Sequence, residues 1–172
     1  MRKIVATLLV SLDGVVEAPQ CWHLGYMDDE MATSLGRPLA AADALLLGRI
    51  TYEELADHWF AAYVDSTPKV VVSTSLDTID SPNESLLEGD LTDAIAELKQ
   101  EPGRTIGVAG SPTLVEALMR RDLVDELRLL VHPVVVGRGR RLFEHVTAQR
   151  PLDLMFSRRL AAGVLDLTYR PG

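Results

Sequence analysis

Apolar positions fall in alternating strand and helix rhythms along the first two-thirds of the chain. Lys3–Ser11 is a nearly continuous apolar run rich in β-formers, as a central strand covered on both faces requires. Asp13-Gly14 ends it with a turn signal, and Glu17-Ala18-Pro19 carries a loop onward. Asp28-Asp29-Glu30 then sets acids at the start of a helix that runs to about Leu39, with Pro38 bending or ending it. Residues 43–48 predict a second strand, and 51–60 a helix with Tyr52, Leu55, Ala56 and Trp59 on one face. Residues 68–73 form a third strand closing in Ser73-Thr74-Ser75, and a loop through Pro82-Asn83 follows. Leu91, Ala94, Ile95 and Leu98 repeat at helical spacing over 91–99, ahead of a strand at 105–109 and a helix at 113–121.

The last third changes rhythm. Residues 125–136 read as one long strand, followed by the basic glycine loop Gly137-Arg138-Gly139-Arg140-Arg141. Two strands, 152–160 and 164–169, finish the chain as a hairpin through Ala161-Ala162-Gly163. The pattern as a whole predicts an α/β fold with a mixed sheet, mostly parallel with a C-terminal antiparallel hairpin, flanked by helices. At 172 residues it is one domain's worth of chain, read as a single domain over 1–172.

Composition narrows the partners. The net charge of −8 weighs against nucleic acid, whose phosphates demand a basic surface. No apolar run reaches the roughly 20 residues that span a bilayer, so no membrane partner is expected. The basic-then-apolar start could pass for a signal peptide, but Asp13-Gly14 ends the run without a cleavage pattern, and a first core strand is favoured. Cys21 is the single cysteine, which excludes an internal disulfide or a cysteine zinc cluster and points to the cytoplasm. His58, His132 and His145 show no ligand spacing, so no metal is expected, and His132 inside an apolar strand reads as a core histidine.

Two strand-to-helix junctions carry the candidate chemistry: Gly48-Arg49 and Gly110-Ser111. Glycine lets a backbone approach a ligand closely, and a helix start offers unpaired N–H groups and partial positive charge to a phosphate. Two such junctions in one α/β chain suggest a dinucleotide along the sheet edge. Bland readings stand beside each: Arg49 as a solvated helix start, Ser73-Thr74 as strand-end polar residues, Ser111 as an N-cap, Gly110 as relief for strand–helix packing.

The order of motifs resembles the dihydrofolate reductase-like superfamily, in the branch similar to the C-terminal reductase domain of the bacterial bifunctional riboflavin-biosynthesis deaminase-reductase. The resemblance covers essentially the whole chain. Its carriers are Ser11-Leu12-Asp13-Gly14, the stretch from Ala42 through Gly48-Arg49-Ile50-Thr51-Tyr52-Glu53, Val72-Ser73-Thr74, Gly107-Val108-Ala109-Gly110-Ser111, and Leu129-Leu130-Val131-His132-Pro133-Val134-Val135-Val136-Gly137. It implies NADPH as hydride donor and a small heterocyclic substrate. Gly48, Arg49 and Thr51 would meet the phosphates, with Arg49 favouring the 2′-phosphate. Ser73 and Thr74 would line the adenosine side. Gly110 and Ser111 would face the diphosphate, with Thr113 and Leu114 close behind, and Asp13 and Gly14 fall where the family's mobile loop crosses the nicotinamide. It also points to a homodimer packed around the C-terminal region.

Hydride transfer asks the protein for positioning and often for a proton donor. Asp13 and Asp28 are the candidate catalytic acids, among Glu17, Asp29 and Glu30. The bland alternative for 28–30 is a capped, solvated helix start. Trp22-His23-Leu24 ahead of Asp28 is faintly similar to the dihydrofolate reductase stretch in which a tryptophan precedes the substrate-binding acid, so Trp22 and His23 are candidate substrate contacts. Arg138, Arg140 and Arg141 form a solvated turn, a subunit contact or an anion site. A non-catalytic nucleotide-binding or regulatory module on the same fold is the competing functional class.

Overall fold

The computed structural model describes residues 1–55 and 61–172. In chain order the main elements are β1 (Lys3–Ser11), α1 (Asp29–Ala40), β2 (Ala44–Gly48), α2 (Arg49–Glu53), α3 (Ala61–Val64), β3 (Lys69–Val72) and β4 (Glu84–Leu86). They continue with α4 (Leu91–Gln100), β5 (Thr105–Val108), α5 (Pro112–Met119), β6 (Glu126–His132), β7 (Leu152–Arg159) and β8 (Leu165–Pro171). The strands make one eight-stranded sheet in the order β4-β3-β2-β5-β1-β6-β8-β7. Pairings from β4 across to β6 are parallel, whereas β8 runs antiparallel to both β6 and β7. The mixed sheet with an antiparallel C-terminal hairpin is therefore the fold the sequence predicts.

Helices cover both faces. Ile4, Ala6, Leu8 and Val10 point from β1 to one face, where they meet Ile95 and Leu98 of α4 and Leu114, Val115 and Leu118 of α5. On the other face Leu45 and Leu47 of β2 pack with Leu39, Leu55 and Val64, while Met31 and Leu35 of α1 pack on Leu130, Leu160 and Val164. A strand flanked in parallel on both edges needs apolar side chains on both faces, which is why β1 and β2 read as continuous apolar runs.

Helix α1 shows how one local defect is absorbed. Asp28 caps it, its Oδ1 accepting the Met31 amide at 2.7 Å. Pro38 lies inside the helix and has no N–H to give the Ser34 carbonyl one turn back. Arg128 of β6 donates to that carbonyl instead, Nη1 to O, at 2.7 Å. The same guanidinium forks onto Asp166 of β8 at 2.8 and 2.6 Å, and the Ser34 hydroxyl donates to Asp166 at 2.7 Å. Burial alone would raise the Asp166 carboxyl, but Arg128 and Ser34 outweigh it and hold it below the ordinary carboxylate range.

The differences from the sequence pattern lie at element ends. The helix after β2 begins at Arg49 rather than Thr51 and closes at Glu53; Ala56 and Trp59 of the predicted helix fall outside the described residues. Strand β4 has no counterpart in the pattern: three residues, Glu-Ser-Leu, carry no periodicity, and register with β3 creates the strand. Strand β6 stops at His132 instead of Val136, because Pro133 cannot donate to a ladder and the Val134 amide turns back onto the His132 carbonyl at 2.8 Å. Among the described residues no helix is long and apolar enough to cross a membrane.

Candidate functional site

Because β3, β2, β5, β1 and β6 are parallel neighbours, their carboxyl ends share one edge of the sheet. Along that edge lie Ser73-Thr74 after β3, Gly48-Arg49 after β2, Gly110-Ser111 after β5 and Asp13-Gly14 after β1. Strands are about 4.8 Å apart, so β3 to β1 spans roughly 14 Å. Open α/β sheets bind ligands in the crevice at this edge.

The two junctions meet. A Cβ built on Gly48 would stand 2.8 Å from Ser111 Oγ and 3.2 Å from Ser111 Cβ, so only glycine allows this approach. Gly110 has φ +81 and lies against Thr51, whose Oγ1 would be 3.5 Å from a Cβ there. The Gly110–Ser111 peptide is cis. Ser111 caps α5, its Oγ accepting the Leu114 amide at 3.3 Å, and Pro112 opens the helix. The N-cap of α2 is Gly48 itself, which supplies no side-chain cap for the first-turn amides.

Side chains around these turns are differently engaged. Arg49 Nη1 pairs with Glu53 one helical turn on, at 2.6 Å, and both groups are exposed. Ser73 Oγ accepts the Ser75 and Leu76 amides at 3.1 and 2.9 Å, closing a local turn, and Thr74 is exposed beside it. Behind α2, Tyr52 donates its hydroxyl to Glu84 of β4 at 2.7 Å, while Lys69, 4% exposed, stands 3.5 Å from the same carboxylate. That hydrogen bond pushes the Tyr52 phenol up to about 12 and Glu84 down. The sequence reading missed this clip because Glu84 sits in a strand with no pattern.

At the β1 end, Asp13 is a loop anchor. Its carboxylate accepts the Ser11 hydroxyl at 2.7 Å and the Val136 and Gly137 amides at 3.0 and 2.8 Å. The Ser11 bond first, then the two amides, hold it down at about 2. These three bonds tie the turn after β1 to the segment after β6. The turn at Gly14, φ +86, is stitched to residues 134–142 through the Leu12, Val16 and Leu142 amides rather than standing free.

The next loop docks on a histidine. Trp22, His23 and Tyr26 each meet the His132 ring edge to face, with centroids 5.2, 5.9 and 5.4 Å away. His132 Nδ1 donates to the Leu130 carbonyl at 2.8 Å, whereas its Nε2 and His23 Nδ1 are buried without a partner among the described residues. Burial, then the neighbouring His132, lowers His23 to about 4; burial also lowers His132. Asp28 caps α1 through Oδ1, leaving Oδ2 without a partner among the described residues. Leu12, Leu24, Ile50 and Val135 are exposed apolar side chains in the segments after β1, β2 and β6 and in the Trp22 loop. A cavity of about 130 Å³, lined by Met119, Leu142, Phe143, Val146 and Leu152, lies instead at the far end of α5.

Comparison with known proteins identifies the family and the fold. The profile of the RibD C-terminal domain covers residues 2–165. The uncharacterized protein YyaP of Bacillus subtilis (strain 168) is 29% identical over 185 residues, covering 98% of this chain and 94% of its own. Among solved structures, a putative riboflavin biosynthesis protein from Shewanella sp. PV-4 superposes with a TM-score of 0.82 at 20% identity, covering 99% of both chains. Dihydrofolate reductase from Enterococcus faecalis, complexed with NADP(H), superposes with a TM-score of 0.68 at 15% identity over 99% of this chain and 96% of that one. At these identities the structural likeness shows the fold.

Proposed function

The chain belongs to the RibD C-terminal domain family, and from that premise we propose that it is an NADPH-dependent reductase of a small heterocyclic substrate, pterin- or pyrimidine-like, related to 5-amino-6-(5-phosphoribosylamino)uracil reductase. The observation that carries the reading is the contact between Gly48 and Ser111, which brings two backbone turns together at adjacent strand ends. Two turns held this close, with no Cβ between them, suit a diphosphate pressed against their main chain. The NADP(H) bound by the Enterococcus protein supports the choice of cofactor.

In this reading Gly48, Arg49 and Thr51 take the 2′-phosphate side, and Ser73 and Thr74 the adenosine. Gly110, Ser111, Thr113 and Leu114 take the diphosphate, and Gly14 lies toward the nicotinamide. Bound there, the cofactor supplies the hydride. The chain supplies position, a dry face and a proton: Leu12, Leu24, Ile50 and Val135 give apolar surface for planar rings, and Trp22 and His23 border the substrate. Asp28 and Asp13 are the candidate catalytic acids, and Asp13 also keeps the neighbouring loop in place. The protein acts as a single cytoplasmic domain over 1–172 and as a homodimer through the exposed apolar residues of β7.

A thermal-shift panel of NADPH, NADH, FMN and FAD tests the cofactor, since a ligand of the native state raises Tm. NADPH should give the largest shift, and no shift at millimolar NADPH sinks the reading. Consumption of NADPH with a pterin or pyrimidine panel then separates a reductase from a nucleotide-binding module on the same fold, which would bind without turnover.

A further inference from the structure

Arg140 joins two parts of the edge that the chain makes far apart. Its Nη1 donates to Thr113 Oγ1 and its Nη2 to Glu116 Oε2, both at 2.6 Å. Thr113 and Glu116 are three residues apart on α5, hence on one helix face. Glu116 is 6% exposed, and its other oxygen receives Arg120 at 3.3 Å. The main chain of Arg140 is held equally firmly on the other side. Its amide donates to Glu17 Oε2 at 2.8 Å and its carbonyl accepts the Val16 amide at 3.0 Å. Arg141, next in sequence, donates from Nε to the Asp13 carbonyl at 3.1 Å.

A cation at the first turn of a helix stands at the unfavourable end of the dipole. Glu116 offsets that cost, and a buried carboxylate in turn requires a partner. The pair therefore leaves a guanidinium fixed on the first turns of α5, the helix that Ser111 caps, in a chain of net charge −8. Arg49, the other arginine at these junctions, is attached only to a residue of its own helix.

We propose that Arg140 is a positioning residue of the dinucleotide site: it clamps the loop after β1 to the first turns of α5, so that the nicotinamide and diphosphate ends are held in register. The proposal rests on the cofactor reading above. It also separates three arginines alike in sequence, since Arg141 serves Asp13 and Arg138 is exposed. A lysine cannot reproduce the fork, because one ammonium does not span two acceptors in the plane a guanidinium does.

The test compares wild type with Arg140→Ala, Arg140→Lys and the double variant Arg140→Leu/Glu116→Gln. Arg140→Ala should weaken NADPH about tenfold, the scale of a lost charge-assisted bond, while 2′-AMP, which in this reading engages only the β2 turn and the end of β3, binds unchanged. Arg140→Lys should recover part of the loss. Hydrogen exchange read without any ligand should speed up at the amides of Val16, Val136, Gly137 and Leu142. The double variant removes the buried charge with its partner, so it should regain stability yet keep both defects. Unchanged exchange in Arg140→Ala overturns the proposal while leaving the cofactor reading intact, and so does recovery of NADPH affinity in the double variant. If wild type binds no NADPH the cofactor reading fails, and with it the dinucleotide role of Arg140, whatever exchange reports of the clamp.

Discussion

Gly48 faces Ser111 so closely that a Cβ on residue 48 would lie 2.8 Å from the serine Oγ. The same Oγ caps α5 through the Leu114 amide. Gly48→Ala must therefore turn the hydroxyl away and uncap the helix, or push β2 from β5. We expect a loss of about 1 kcal/mol in stability, the size of an N-cap, with a larger relative loss of NADPH affinity. Combining it with Ser111→Gly should restore much of the stability, because the obstructing side chain is gone. Urea denaturation with NADPH titration checks both; a Gly48→Ala protein as stable and as tight-binding as wild type would refute the close approach.

Arg49 and Glu53 form an exposed pair at 2.6 Å. A 2′-phosphate would have to compete with Glu53 for the guanidinium. Arg49→Ala should weaken NADPH about tenfold while leaving NADH nearly unchanged. Glu53→Gln should act in the opposite sense and tighten NADPH alone. Equal losses of both cofactors in Arg49→Ala would remove Arg49 from the phosphate site.

His23 is buried against His132 and titrates at about 4, well below the ordinary histidine value of 6.5. The unfolded chain therefore binds the extra proton first as pH falls. Stability from this group is complete above pH 6.5, declines as pH drops from 6.5 to 4, and is lost no further below that. The slope is on the order of 1 kcal/mol per pH unit in that window. His23→Gln should reduce the slope and leave the part due to His132, which burial also lowers, and Trp22 fluorescence should follow the same titration because its indole sits on the neighbouring His132 imidazole. A stability curve that is flat in wild type between pH 4 and 6.5 would overturn this.

The parallel βα alternation, the closing hairpin and both glycine junctions were legible because each is a local signal: apolar runs, a Gly at a strand end, an N-cap serine. The contact of Gly48 with Ser111 was not, since it depends on β5 inserting between β2 and β1, a matter of topology. The anchoring of Asp13 was not legible either, because nothing local shows that the amides of Val136 and Gly137 lie across the loop. His132 looked like a core residue and is one, but the three rings it supports come from a loop more than a hundred positions away. Arg140 was one of three alike until its two acceptors on α5 singled it out.

Strand β7 is an edge with Leu154, Met155 and Phe156 exposed in succession and a bulge between Leu154 and Phe156. Exposed apolar edges are avoided unless covered. In the proposed homodimer, antiparallel self-pairing about this stretch would bring Asp153, now paired with Arg170, near Arg158 or Arg159 of the partner subunit. Sedimentation should find a dimer, and Met155→Lys/Phe156→Asp a folded monomer; a wild-type monomer at working concentration would discard the interface.

Arg128 and Asp166 carry the heaviest expected stability effect. Both are buried, and the Ser34 carbonyl that Pro38 cannot reach depends on the same guanidinium. Asp166→Asn leaves that cation without its counter-charge, which should cost about 3–5 kcal/mol. The double variant Arg128→Met/Asp166→Leu removes both charges and should cost less than Asp166→Asn alone, although the orphaned Ser34 carbonyl keeps it below wild type. Because the folded Asp166 carboxyl lies below its ordinary value, its contribution is present above the unfolded pKa near 4. It is lost as pH falls through the lower folded value, below the window in which His23 acts. Denaturation of the single and double variants at neutral pH decides the matter: a double variant less stable than Asp166→Asn would mean that the pair is intrinsically stabilising rather than mutually compensated.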